Sequence, residues 1–174
     1  MGRPITLFTG QWADLAFEDI CRKAGQWGYD GLEIACWGDH MELAKATENP
    51  GYLDKKKEIL ENHDLKCWAL GAHLAGQCVG DPYDPRLDAF APDRVKGSPE
   101  ELRRWAVDEM INAAEAAAGM GCKVVNGFMG SPIWKAWYSF PPTTEDMISD
   151  GFRTIRTLWT PIPVSYTHLT LPTN

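Results

Sequence analysis

An α/β fold built on a parallel sheet is predicted by two observations in this 174-residue sequence. Short apolar runs alternate with helical patterns four times over, and parallel neighbours need crossover connections of the kind that helices supply. The links are also lopsided. Those from helix to strand are short and alike (GQWGYDG, NHDLK, GMGCK), whereas those from strand to helix extend over residues 71–97 and 128–142. Long loops therefore gather at the C-terminal ends of the strands, the face on which open and closed α/β sheets alike place their active sites.

The predicted strands are ITLFT (residues 5–9), GLEIA (31–35), KCWAL (66–70) and KVVNG (123–127). After the first, FEDICRKAGQW sets Phe17, Ile20, Cys21, Ala24 and Trp27 at helical spacing, with Asp14 as the expected cap. YLDKKKEILENH follows the second strand as a more charged amphipathic helix. The third helix has the best start in the chain, with Ser98 at N-cap, Pro99 at N1 and Glu101 at N3, and its Ala-rich pattern runs to about Met120. The last begins at Thr143 or Thr144 and carries Met147, Ile148, Phe152, Ile155 and Leu158 before Pro161 stops it. Four such units fit either a small open sheet or half of an eight-stranded barrel.

Composition narrows the function classes. The chain is 44% hydrophobic and 24% charged, ordinary for a globular domain. A net charge of -7 argues against a surface built to neutralise nucleic-acid phosphates. Five cysteines, an odd number without CxxC spacing, suit reduced thiols better than a disulfide framework. With no basic segment leading into an apolar one, and no apolar run approaching the length of a membrane span, a cytoplasmic protein is expected. The Met1-Gly2 start with Thr6 formally fits a myristoylation pattern, but Thr6 falls in a predicted strand. No P-loop, dinucleotide fingerprint, HExxH or GxSxG occurs, and Gly119-Met120-Gly121 is a lone GxG in a turn.

The segment VSYTHLTLPTN, residues 164–174, shows neither strand alternation nor helical spacing. Its first ten residues can be encoded by GTC TCT TAT ACA CAT CTG ACG CTG CCG ACG, which resembles the transposon-end adapter of sequencing libraries read in frame. Native sequence is therefore expected over residues 1–163, with 164–174 a non-native tail in which Tyr166 and His168 carry no functional information.

ITLFTGQWADLAFEDICRKAGQWGYDGLEIACWGDH, LKCWALGAHLAGQ and CKVVNGFMGSPIW resemble the first half of the sugar phosphate isomerase/epimerase family, the xylose isomerase-like barrels. GYDGLEIA, the strand-end His73 and VNGF are the most specific elements of that resemblance, which extends from Ile5 to about Ile162. It implies about four of the eight (β/α) units of a TIM barrel. It also implies a divalent metal, Mn, Mg, Co or Zn, in the full-length parent, on carboxylate and histidine ligands that lie mostly on strands five to eight. This fragment is accordingly expected to bind no metal and to be inactive alone, its substrate in the parent being a sugar or sugar phosphate.

Within that frame, Glu33 is placed by parity: with Leu32 and Ile34 facing the helices, Glu33 and Ala35 face the barrel interior. A carboxylate there can bond a substrate hydroxyl or orient a catalytic group. The bland alternative is a structural carboxylate held by backbone N–H groups or an arginine. His73, three residues beyond Leu70, could donate to a sugar oxygen, bind metal or move a proton. These two are the candidate catalytic residues. Candidate substrate contacts are Trp12, Trp37 and Trp134, through aromatic faces against sugar C–H surfaces, with His40 and Asn126 as hydrogen-bonding groups. The W-G-D-H pattern of residues 37–40 equally suits a capped turn, and core packing competes for each tryptophan. Two other readings stay open. One is an endonuclease IV-like DNA phosphodiesterase, which His73 would suit but Asn126 and the acidic charge would not. The other is a non-catalytic sugar-binding module, whose unpaired edge strands would favour pairing of two copies.

Overall fold

A computed structural model describes residues 2–136, 138 and 140–170. Four strands, β1 (Thr6–Phe8), β2 (Gly31–Ala35), β3 (Lys66–Gly71) and β4 (Val125–Asn126), form one parallel sheet in sequential order. Seven helices accompany them among the described residues: α1 (Phe17–Gln26), α2 (Leu43–Glu48), α3 (Pro50–Glu61), α4 (His73–Gly80), α5 (Pro99–Met120), α6 (Glu145–Trp159) and α7 (Pro161–Thr170). The chain divides into two compact units, residues 1–72 with 112–126, and residues 73–111 with 127–174.

The first unit contains the whole sheet. Leu7, Leu32, Ile34 and Leu70 are buried on its helix side, together with Phe17, Ile20, Cys21 and Ala24 of α1, the stripe set by helical spacing. Register places Phe8 beside Glu33, Glu33 beside Ala69, and Gly71 beside both Ala35 and Asn126, with a shift between Leu32 and Glu33. Side chains paired in register on parallel strands share a face, so Phe8, Glu33, Ala69 and Asn126 lie on the side opposite the helices. Gly31 opens β2 under a tight constraint: a Cβ there would sit 2.2 Å from the Lys66 carbonyl oxygen and 2.5 Å from the Trp68 ring. Gly31→Ala is therefore expected to cost about 3 kcal/mol, because backbone rather than a flexible side chain must move. Urea unfolding measures it, and a loss below about 1 kcal/mol would show that the strand pair absorbs the methyl group.

Some sequence expectations change. Asp14 does not cap α1; the N-cap is Ala16, and the Phe17 N–H donates instead to the Asp39 carboxylate at 2.8 Å. That carboxylate arrives from the loop after β2, a non-local cap invisible to a local motif. The link at 71–97 is not a plain loop, since it holds α4 and two 3-10 turns. α2 was not expected, and β4 is only two residues long. α6 begins as read, with Thr144 as N-cap accepting from the Met147 N–H at 3.3 Å. The segment after residue 163 is helical as far as Thr170, with Pro161 opening α7 and the Tyr166 hydroxyl donating to the Met110 carbonyl at 3.2 Å. Residues 171–174 of that segment lie outside the described residues.

Candidate functional site

In the first unit the structure joins two of the candidate residues. The Asn126 amide donates to the Glu33 carboxylate at 2.8 Å, from a strand 93 residues further along the chain. β2 and β4 are separated by β3, and two inter-strand spacings amount to about 10 Å. The side chains meet because β3 contributes only Ala69 and Gly71 to that face beneath them. A larger residue there would occupy the space the hydrogen bond crosses. Both partners are half-buried. Phe8, in register with Glu33, meets the Trp37 ring edge-on at 5.8 Å between centroids. Carboxylate, amide and aromatic rings thus come together on one sheet face, able to bond hydroxyls and cover C–H surface.

His40 does not join them. It is fully buried, with Nδ1 2.9 Å from the Thr9 hydroxyl and Nε2 3.2 Å from the Leu15 carbonyl oxygen. The carbonyl can only accept, so Nε2 carries the proton and Nδ1 accepts from Thr9. The Thr9 oxygen in turn accepts from the Ala35 N–H at 2.9 Å, tying the end of β1 to the end of β2. A sugar contact by His40 would break one of these bonds, and burial pushes its pKa below the ordinary histidine value. Trp12 also turns elsewhere, its ring centroid 6.0 Å from that of Trp27, the residue that caps α1.

Behind His40 sits Lys56, a residue of the charged amphipathic helix α3 that was not singled out as a candidate. It is 6% exposed, donates to the Asp39 carbonyl at 2.6 Å and lies 4.4 Å from the Phe17 ring centroid. Burial pushes its pKa below the usual lysine value. Lys56 and the α1 cap both hold Asp39, so the loop carrying Trp37 is fixed at two points.

In the second unit, His73 is the first residue of α4 and meets Phe128 edge-on at 4.9 Å. Both line a cleft of about 720 Å³, with Gln77, Tyr83, Phe90 and Trp134 among its other walls. Trp134 is 56% exposed and lines that cleft. The loop supplying Phe128 and Trp134 lies flat on α4 because that helix presents Gly76 and Gly80 one turn apart. A Cβ would fall 2.3 Å from the Phe128 carbonyl oxygen at Gly76, and 2.2 Å from that of Met129 at Gly80. Asp81 completes the attachment, accepting from the Ser131 N–H and the Gln77 amide, both at 2.6 Å. AGQCVG carried the signal for this docking in its glycine spacing, and Asp81 was missed for want of a local pattern.

The chain matches the xylose isomerase-like TIM barrel family over residues 21–160. No curated protein matches it significantly. Among solved structures it is similar to a D-psicose 3-epimerase in the presence of D-fructose, at 12% identity and a TM-score of 0.54, over 97% of this chain and 50% of that one. It is also similar to the 3-keto-D-glucoside 4-epimerase YcjR from E. coli, at 15% identity and a TM-score of 0.51, over 93% of this chain and 54% of that one. A third is D-psicose 3-epimerase with D-tagatose from Clostridium cellulolyticum H10, at 10% identity and a TM-score of 0.56, over 97% and 50%. At these identities the likeness is one of fold. The chain spans about half the length of the solved structures it matches.

Proposed function

Because the chain belongs to the xylose isomerase-like TIM barrel family, we propose that it is the N-terminal part of an enzyme that moves a proton between adjacent carbons of a sugar or sugar phosphate. The observation that carries this reading is the Glu33–Asn126 hydrogen bond across the small residues of β3. It holds a carboxylate in one orientation on the sheet face that a closed barrel turns inward. The similar structures are sugar epimerases, which supports the substrate class.

In this reading Glu33 accepts from a substrate hydroxyl and Asn126 fixes its rotamer. Trp37 covers apolar sugar surface in the first unit; in the cleft of the second unit, taken by itself, Trp134 offers an aromatic surface and His73 a group that donates to a sugar oxygen or transfers a proton. His40 and Trp12 are structural. Among the described residues no group of three or more His, Cys, Asp or Glu side chains could hold a metal ion. The ligands of the divalent site that the family resemblance implies are assigned to the remainder of the parent barrel. With β1 and β4 as open sheet edges, the chain alone is inactive and prone to self-pairing. No described helix is long and apolar enough to cross a membrane.

Residues 164–174 remain assigned to translated adapter. Sequencing native DNA past the Pro163 codon tests this directly: a frame that continues into further barrel strands supports it, and native codons for VSYTHLTLPTN overturn it. The activity is tested on the full-length protein by incubating ketohexoses with Mn²⁺ in D₂O. Deuterium entering at one carbon as the epimer forms supports proton transfer, whereas cleavage of abasic DNA without sugar exchange would sink it. His73→Ala is expected to lower the rate about 10²-fold if the imidazole takes part in proton transfer. A change below about threefold would limit His73 to the cleft wall.

A further inference from the structure

The loop that leaves β2 is held by side chains of α3 as well as by α1. Its Cys36 N–H donates to the Gly71 carbonyl at 3.0 Å, which fixes the chain where the strand ends. At Asp39 the chain is fixed again: the carboxylate accepts from the Phe17 N–H at 2.8 Å, and the carbonyl accepts from the Lys56 ammonium at 2.6 Å. The Glu42 N–H then donates to the Tyr52 hydroxyl at 2.8 Å. Tyr52 and Lys56 stand one turn apart on α3, so a single helix face grips both ends of the segment 39–42. Only Trp37 and Gly38 lie between the fixed points at Cys36 and Asp39. Gly38 turns the chain there with a φ of 60°, a conformation that favours glycine. The indole carried by this turn has little room, since a Cβ at Gly10 would fall 2.8 Å from Trp37 Cζ2, and the ring already meets Phe8 edge-on.

Lysine is an expensive residue with which to hold a loop. Lys56 is 6% exposed, and an ammonium taken out of water must find partners. What offsets the burial is the Asp39 carbonyl and two aromatic rings, with the Phe17 and Tyr52 centroids 4.4 and 5.4 Å from Nζ. An apolar side chain of similar length would pack on the same rings without burying a charge. It would lack a donor for Asp39. The ammonium is therefore explained by the carbonyl it holds rather than by the packing it provides.

We propose that Tyr52 and Lys56 form a latch through which α3 positions Trp37 against substrate, with Lys56 a positioning residue that never touches the sugar. This rests on the reading of Trp37 as a substrate contact. The latch sets where the indole lies, so its loss weakens binding; the carboxylate of Glu33 keeps its own support from Asn126.

The test uses the full-length enzyme labelled with 5-fluorotryptophan, in which Trp37→Leu identifies the Trp37 fluorine signal by its absence. Lys56→Met keeps the length of the side chain and removes the donor, while Tyr52→Phe keeps the ring and removes the hydroxyl. In both variants the Trp37 signal is expected to shift or split while the other tryptophan signals stay in place, which reports an intact fold. KM should rise about tenfold in Lys56→Met and about threefold in Tyr52→Phe, with kcat within about twofold of wild type. Tyr52→Phe carries the test if Lys56→Met does not fold. A Trp37 signal that stays in place in the folded variants overturns the latch, as does a fall in kcat at constant KM. Trp37→Leu separates this from the reading beneath it. Unchanged KM in that variant sinks Trp37 as a sugar contact, whereas a raised KM there with KM unchanged in both latch variants sinks the latch alone.

Discussion

His40→Ala is expected to lower the unfolding free energy by about 3 kcal/mol. The change removes a fully buried imidazole, leaves the Thr9 hydroxyl and the Leu15 carbonyl without a partner, and opens a cavity beside Phe17. The same residue sets a pH dependence whose sign follows from its burial. The folded pKa lies below the unfolded value near 6.5, so the unfolded chain binds the proton more readily. Stability is then full above that value and is lost as pH falls from it through the folded pKa. Lys56 and Asp39 also act on the ring, with opposite signs. Urea midpoints at two pH values, one on each side of 6.5, read the effect. The wild-type chain should weaken at the acidic value, and His40→Gln should weaken less. Equal acid sensitivity in both proteins would assign the slope to other groups.

Glu33→Gln carries a large expected effect on activity. In the full-length enzyme it should lower kcat/KM about 10²-fold, or about 2.7 kcal/mol of transition-state stabilisation. The substitution discriminates because the glutamine oxygen can still accept from Asn126, so the geometry across β3 survives while the charge is lost. Asn126→Leu does the reverse, keeping the charge but freeing its rotamer, and should cost about tenfold. Steady-state kinetics on both variants decide the matter. If Glu33→Gln stays within about threefold of wild type, the carboxylate is a structural group and the catalytic assignment fails.

The strands were legible because their side-chain period and flanking turns are local properties. Gly31–Ala35 and Pro99–Met120 were read to the residue or nearly so. The site was legible only singly. Glu33 was recognised as a carboxylate out of place, and Asn126 as a strand-end amide, but their hydrogen bond depends on the register of three strands and on how small β3 is between them. His40 was misread for the converse reason. A polar residue just past a strand end is normally directed outward, yet here Asp39 caps α1 and Lys56 holds its carbonyl, which turns the loop inward. None of those contacts is local. Thr9 likewise gave no warning that its hydroxyl would bridge β1, β2 and the imidazole.

The sequential strand order has a consequence for how such a sheet is made. Each strand lies beside the one synthesised just before it, so the sheet grows at one side as the chain leaves the ribosome, and no strand waits for a distant partner. β4 is then the growth front, held to β3 by two residues. Among the described strands β1 and β4 each leave one edge unpaired within this sheet, so copies of the chain can meet edge to edge, and that meeting, unlike strand formation, depends on concentration.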